Sequence, residues 1–161
     1  MSEIKIQDFL ETDIKSAVKI EEMCFSKPWS ENSFKSALEN QYSKFFVAKK
    51  SDVLAGFSGM YTAAKSEGYI YNIAVNPIFR KQGIGTALTL KLLEHSKKNH
   101  LEFLSLEVRE SNNSAISIYE KCANEVLTIS NTENMGIDKV KQCLEGKTTV
   151  LAGPSGVGKS S

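Results

Sequence analysis

The chain has little of what metal centres, disulfide scaffolds and membrane spans are built from. Its two histidines, His95 and His100, are too few for a histidine-rich metal site, and no metal is expected. Its three cysteines, Cys24, Cys122 and Cys143, are odd in number and lack the paired spacing of a zinc site or a disulfide framework. They read as reduced thiols, the usual state in the cytosol, so a cytoplasmic location is expected. No apolar run approaches the roughly 20 residues that cross a bilayer. Glu3, Lys5, Asp8 and Glu11 crowd the start and argue against a secretory signal. An excess of one charge is also lacking: 20 basic residues stand against 19 acidic ones, a formal net charge of +1. That balance gives no global field for nucleic acid or an acidic membrane surface, so neither is an expected direct partner and any basic site must be local. Nothing in the composition speaks to oligomeric state.

What remains is the composition of an ordinary globular domain, 41% hydrophobic and 24% charged over 161 residues, long enough for a real core. Within it, one stretch organises the rest. Ile73-Ala74-Val75 reads as an apolar strand end and Asn76-Pro77 as a turn. Arg80-Lys81-Gln82-Gly83-Ile84-Gly85-Thr86 then reads as a basic loop opening a helix. A helix start leaves backbone N–H groups without intrahelical partners and carries the positive end of the peptide dipoles. Glycines allow close approach of a diphosphate, and Arg80 and Lys81 add charge. The stretch therefore marks a site for a phosphate-bearing cofactor. Taken alone, it also fits a strand-to-helix turn in which Gly83 and Gly85 serve only packing. Its spacing is neither the three-glycine dinucleotide turn nor the phosphate loop ending in Gly-Lys-Ser.

In chain order, alternation predicts a half-buried strand over Ile4 to Leu10. Thr12-Asp13 offers a cap for a helix to about Cys24, with Ile14, Ala17, Val18, Ile20, Glu21 and Phe25 at near-helical spacing. Pro28 breaks it, and Ser30 caps a short second helix to about Asn40. Strands follow at 44–50, 53–62 and 69–75, joined by turns, so the front of the sheet is expected to be antiparallel. A long helix spans Gly83 to Asn99, and Phe103 to Val108 is a buried strand. That strand–helix–strand order demands a parallel, right-handed crossover. Asn112-Asn113-Ser114 caps a helix from about Ala115 to Lys121. Beyond it, strands are expected at 125–130 and 148–152, with a short helix at 137–144 between them.

Arg80-Lys81-Gln82-Gly83-Ile84-Gly85 resembles the coenzyme A loop of the GCN5-related N-acetyltransferases (GNAT), Arg/Gln-x-x-Gly-x-Gly/Ala. Leu106-Glu107-Val108-Arg109, Asn112, Tyr119 and the early Cys24-Phe25-Ser26-Lys27-Pro28-Trp29-Ser30 resemble the RimI branch of that family, which acetylates the N-terminal alanine of a small-subunit ribosomal protein. The resemblance covers residues 1–122. It implies an α+β fold: a mixed, mostly antiparallel sheet of six to seven strands, splayed at its centre and flanked by helices. It also implies acetyl-CoA as cosubstrate, held by Ile73, Ala74, Val75, Lys81, Gln82, Gly83, Ile84, Gly85, Thr86 and Asn112. Glu107 is then the general base and Tyr119 the general acid, with a protein N-terminal peptide, a ribosomal one, as partner.

The chemistry asks for such groups. An α-amino group, with a reference pKa of about 7.7–8.0, is largely protonated at neutral pH and cannot attack a thioester until a carboxylate takes its proton. Attack develops an oxyanion that the backbone N–H groups of Ile73 to Val75 could stabilise, and a phenol can protonate the departing thiolate. No covalent enzyme intermediate is required, so the cysteines need no role. By themselves, Tyr119 also reads as a packed helix tyrosine, and Glu107 as a partner of Arg109 or Lys121. Glu107 is expected to be buried in its apolar strand, an unusual place for a carboxylate without a partner or a task. Tyr69, Tyr71, Phe45, Phe46 and Phe103 read as core. Trp29 reads as core or as an acceptor contact.

The tail carries a second signal. Gly153-Pro154-Ser155-Gly156-Val157-Gly158-Lys159-Ser160-Ser161 is a full phosphate-loop motif after a strand. Residues 124–161 resemble a piece of a circularly permuted ribosome-assembly GTPase of the RsgA type. No helix, magnesium aspartate or base-reading Asn-Lys-x-Asp follows the motif in this sequence, so a GTPase is not expected. The segment 123–161 is expected to supply replacement strands or a flexible tail, in a chimera joined near Tyr119 to Cys122. Because Ala123-Asn124 stands where the acetyltransferases have Gly-Phe, the acceptor wall is the altered part. A non-catalytic acetyl-CoA-binding scaffold and a GTP-binding fragment are the alternative functions.

Overall fold

The computed structural model describes residues 3–64, 66–109, 111–122, 126–128 and 149–153. Its elements are β1 (Ile4–Asp8), α1 (Ile14–Cys24), α2 (Glu31–Glu39), β2 (Ser43–Lys50), β3 (Val53–Ala64), β4 (Glu67–Val75), α3 (Ile84–Lys98), β5 (Phe103–Glu107), α4 (Asn113–Cys122), β6 (Val126–Thr128) and β7 (Thr149–Gly153), with short 3-10 turns at Glu11–Asp13 and Pro77–Phe79. The helix expected at 137–144 and the phosphate-loop residues after Gly153 lie outside the described residues. The chain forms two compact units, Met1–Tyr61 with Tyr71–Leu92, and Thr62–Ile70 with Leu93–Ser161; β3 and β4 each run through both.

In the first unit β1 pairs antiparallel with β2 from Ile4↔Lys50 to Asp8↔Phe46, and β2 pairs antiparallel with β3 from Ser43↔Tyr61 to Lys50↔Val53. The helices form where the apolar residues recur at helical spacing. In α1, Ile14, Ala17, Ile20 and Glu21 are the buried face. Asp13 ends the preceding turn by accepting the Leu10 N–H at 3.0 Å and pairing with Lys49 at 2.7 Å. The α2 cap is as read from the sequence: Ser30 Oγ accepts the Ser33 N–H at 3.1 Å. Both helices cover one face of the strands, where Phe9, Phe34, Phe45 and Phe57 pack ring against ring. Phe34 is wholly buried, and such a side chain contributes about 1.5–3 kcal/mol. The other face takes α3. A Cβ on Gly56, one residue from Phe57 and therefore on the opposite side of β3, would meet Ile84 and Leu88 at 3.3 Å.

In the second unit β4 pairs parallel with β5, but only from Glu67↔Phe103 to Tyr69↔Ser105, although β4 continues to Val75 and β5 to Glu107. β5 instead pairs along its full length with β7, in parallel, and β7 pairs in parallel with β6. The sheet is thus mixed: antiparallel at its start and parallel from β4 onward among the described pairings. The two late strands do not follow chain order. β7, a continuous Thr-Val-Leu-Ala run, lies next to β5, and the shorter β6 lies beyond it. Parallel neighbours need a long connection, which residues 129–148 supply.

Candidate functional site

The loop after β4 is fixed from below. Asn76 donates its N–H to the Ala55 carbonyl at 2.9 Å, and its Oδ1 accepts the Ile78 N–H at 3.2 Å, so the chain turns sharply through Pro77. The backbone then takes left-handed conformations at Lys81 (φ 60°) and Gly83 (φ 79°). For Gly83 this is unstrained, and a Cβ there would meet nothing within 4 Å. For Lys81 it costs about 1–2 kcal/mol, a local strain of the kind that collects at binding sites. The first helical bond of α3 runs from the Ala87 N–H to the Gly83 carbonyl, 2.9 Å. The amides of Gly83, Ile84 and Gly85 precede it, and Thr86 is the third residue of the helix. Left-handed turns feeding a helix start gather N–H groups into a concavity suited to an anion.

The cations are not disposed alike. Lys81 is exposed. Arg80 is turned back onto the strand end, with Nε 3.4 Å from the Val75 carbonyl and Nη2 3.5 Å from Cys24 Sγ. Lys50, at the end of β2, donates from Nζ to Gln82 Oε1 at 2.6 Å and so adds a cation to the loop. Sequence reasoning missed Lys50, because its partner is 32 residues away and only strand pairing brings it there.

In the strand end itself, Ala74 is buried and Ile73 and Val75 are half-buried. A second unanticipated feature adjoins it. Glu21, 1% exposed on the core face of α1, accepts Asn72 Nδ2–H at Oε1 and the Trp29 N–H at Oε2, the latter at 3.1 Å. Burial pushes its carboxyl above the usual carboxylate range, against the opposing pull of the Trp29 and Asn72 hydrogen bonds. The only signal in the sequence was Glu21's place on the apolar face of α1. Trp29 itself packs against Phe34, Phe45 and Tyr71, with ring centroids 5.3, 6.1 and 5.1 Å away, which favours its reading as core.

The remaining sequence-derived residues lie in the second unit. Glu107 is the last residue of β5, and there the expectation fails: it is exposed, not buried. Ser105, two residues earlier on the same side of β5, is buried, so the exposure of Glu107 comes from its place at the strand's end and not from alternation. Tyr119 is half-buried in α4, and desolvation pushes its phenol up to about 12. Asn112 caps α4: its Oδ1 accepts the Ala115 N–H at 3.2 Å and its carbonyl accepts the Ile116 N–H at 3.1 Å. That leaves the amide nitrogen as the part of its side chain suited to reach a ligand. Burial also raises the Cys122 thiol despite the neighbouring Lys121, which keeps it a poor nucleophile. Among the described residues no cluster of His, Cys, Asp and Glu is arranged to hold a metal, and no helix is long and apolar enough to cross a membrane. The structure thus puts Ile73–Val75 at the end of β4 and Lys81–Thr86 at the start of α3, joined by the connection at 76–80, and Glu107, Asn112 and Tyr119 on one strand–helix segment.

Comparison with known proteins gives the family. The [ribosomal protein bS18]-alanine N-acetyltransferase of Escherichia coli K12 is 35% identical over 118 residues, which cover 73% of this chain and 78% of that protein. The crystal structure of the ribosomal-protein-S18-alanine N-acetyltransferase from Escherichia coli superposes with a TM-score of 0.68 at 33% identity, covering 74% of this chain and 76% of that one. The small ribosomal subunit biogenesis GTPase RsgA of Alkaliphilus metalliredigens is 44% identical over 61 residues, 38% of this chain but only 21% of that protein, a longer match than the stretch 124–161. Residues 14–123 match the acetyltransferase (GNAT) family, whose members use acetyl-CoA, and the chain therefore belongs to that family and is an N-acetyltransferase.

Proposed function

We propose that this enzyme transfers the acetyl group of acetyl-CoA to the α-amino group of a protein N-terminus, an N-terminal alanine of a small-subunit ribosomal protein. The acceptor is taken from the activity for which the E. coli relative is named, at 35% identity. Such an acceptor places the reaction in the cytoplasm. The observation that carries the cofactor half is the left-handed turn at Lys81 and Gly83 leading into the amides of α3. Those amides, from Lys81 through Gln82, Gly83, Ile84 and Gly85 to Thr86, hold the diphosphate, with Lys50 and Lys81 as neutralising cations.

Bound acetyl-CoA supplies an activated thioester. The protein supplies the rest. The backbone of Ile73, Ala74 and Val75 hydrogen-bonds the acetyl oxygen, which β4 can do because its pairing with β5 ends at Tyr69. Asn112 contacts the coenzyme through its amide nitrogen. Glu107, solvent-accessible at the end of β5, removes the proton from the acceptor amine, directly or through a water. Tyr119, whose phenol is pushed up to about 12 and so holds its proton near neutral pH, gives that proton to the leaving sulfur. Residues 1–122 form the acetyltransferase part, and 123–161 an RsgA-like segment joined near Tyr119 to Cys122, which supplies β6 and β7.

The test is an acetylation assay on a peptide beginning with alanine, beside calorimetry with acetyl-CoA. Glu107→Gln is expected to lower kcat by about 10²–10⁴-fold and to leave the acetyl-CoA Kd unchanged. Coenzyme binding with no turnover on any N-terminal peptide would mean a scaffold instead of an enzyme for this acceptor.

A further inference from the structure

Within the first unit, α1 holds β4 at two points. Glu21 accepts from the Asn72 side chain, and Cys24 Sγ–H donates to the Val75 carbonyl at 3.5 Å. Glu21 and Cys24 are three residues apart and share a face of α1. Asn72 and Val75 bracket Ile73-Ala74. The second oxygen of Glu21 takes the Trp29 N–H at 3.1 Å, which ties the connection between α1 and α2 to the same carboxylate. Arg80 closes the group from the loop side, on Val75 and Cys24.

This is a poor way to gain stability. Glu21 is 1% exposed, and Asn72 Oδ1 is buried without a hydrogen-bond partner among the described residues. A desolvated carboxylate and an orphaned amide oxygen each oppose folding, whereas an apolar pair of similar volume would not. What the arrangement provides is directionality. Two carboxylate oxygens facing two fixed donors leave the strand and the connection one relative placement.

We propose that Glu21 is a positioning residue for acetyl transfer: through Asn72 and the Trp29 N–H it fixes the backbone of Ile73–Val75 against the α1–α2 connection. It touches neither substrate nor cofactor. It rests on the reading above that Ile73–Val75 hold the acetyl oxygen, and its effect on rate follows from the sensitivity of transfer to small misplacements of the groups around the reacting carbonyl. The diphosphate turn, anchored separately through Asn76 and α3, is left in place.

The test compares the full chain with Glu21→Gln and with the double variant Glu21→Leu/Asn72→Val, which replaces the polar pair by an apolar one. Both are expected to lower kcat on the alanine-starting peptide by about 10-fold to 100-fold, with the acetyl-CoA Kd held within about twofold. The double variant is expected to do so without loss of Tm, which a merely structural role would not produce. Amide hydrogen exchange at Trp29 and at Ile73–Val75 should quicken in both, while β2 keeps its protection. Wild-type kcat in both variants overturns the proposal, as does a rate loss that tracks Tm with exchange quickened across the whole unit. A wild-type chain that turns over no peptide sinks the acetylation reading instead; the exchange measurement then decides the clamp by itself.

Discussion

Tyr119 and Glu21 are two acids moved in the same direction by burial, with different consequences. The Tyr119 phenol, pushed up to about 12, holds its proton throughout the range in which an amine can be acetylated. Tyr119→Phe is expected to lower kcat by about 10²-fold or more with acetyl-CoA binding intact, read by steady-state kinetics and calorimetry. The wild-type pH–rate profile should show no alkaline loss from this group below about pH 11, one unit under its raised value. Glu21 speaks to stability. Burial raises its carboxyl in the folded chain above the ordinary glutamate value of 4.5, so the folded state binds its proton more tightly than the unfolded one. The contribution is therefore complete below the unfolded value and is lost as pH rises through the folded one. Urea unfolding across mildly acid pH should show stability falling in that window for the wild type, and a flatter curve for Glu21→Gln.

Among the elements, β4 is the one on which the others converge. Its last residues meet α1 through Glu21 and Cys24, and its carbonyl at Ala74 lies directly over Gly56 of β3. A Cβ at Gly56 would come within 2.7 Å of that carbonyl, and within 3.3 Å of Ile84 and Leu88. Backbone cannot step aside as a side-chain tip can. Gly56→Ala is thus expected to destabilise the fold by about 1–3 kcal/mol in urea titration, and to lower acetylation beyond what the lost folded fraction explains. The opposite edge of β5 is closed by β7 along all five of its residues. Ordinary edge exposure, with its hazard of pairing to another chain, is avoided there by a strand from the segment that looks least like an acetyltransferase.

For the whole molecule, the question raised by the phosphate-loop motif is whether it takes part in the reaction. None of the acetyl-transfer chemistry calls on Lys159. Lys159→Ala is expected to leave peptide acetylation and acetyl-CoA affinity unchanged, and a fall in either, measured beside a GTP titration, would tie the motif to the enzyme. The sequence by itself determined the order of the described elements through β5, the Ser30 cap and the strand-to-helix turn at 76–86, because each is written in local spacing: helical recurrence, strand alternation, a cap residue before an apolar face. The family was legible through the resemblance of its motifs. The resemblance also named Glu107, Asn112 and Tyr119. Only the tertiary structure decided that Glu107 is exposed, that Arg80 is turned onto Val75 while Lys50 joins the loop, that β7 and not β6 flanks β5, and that Glu21 meets Asn72 and Trp29. Those are contacts between residues far apart in the chain or outcomes of how strands pair. Burial, register and hydrogen-bond partnership belong to the packed assembly, and no local pattern of residue types encodes them.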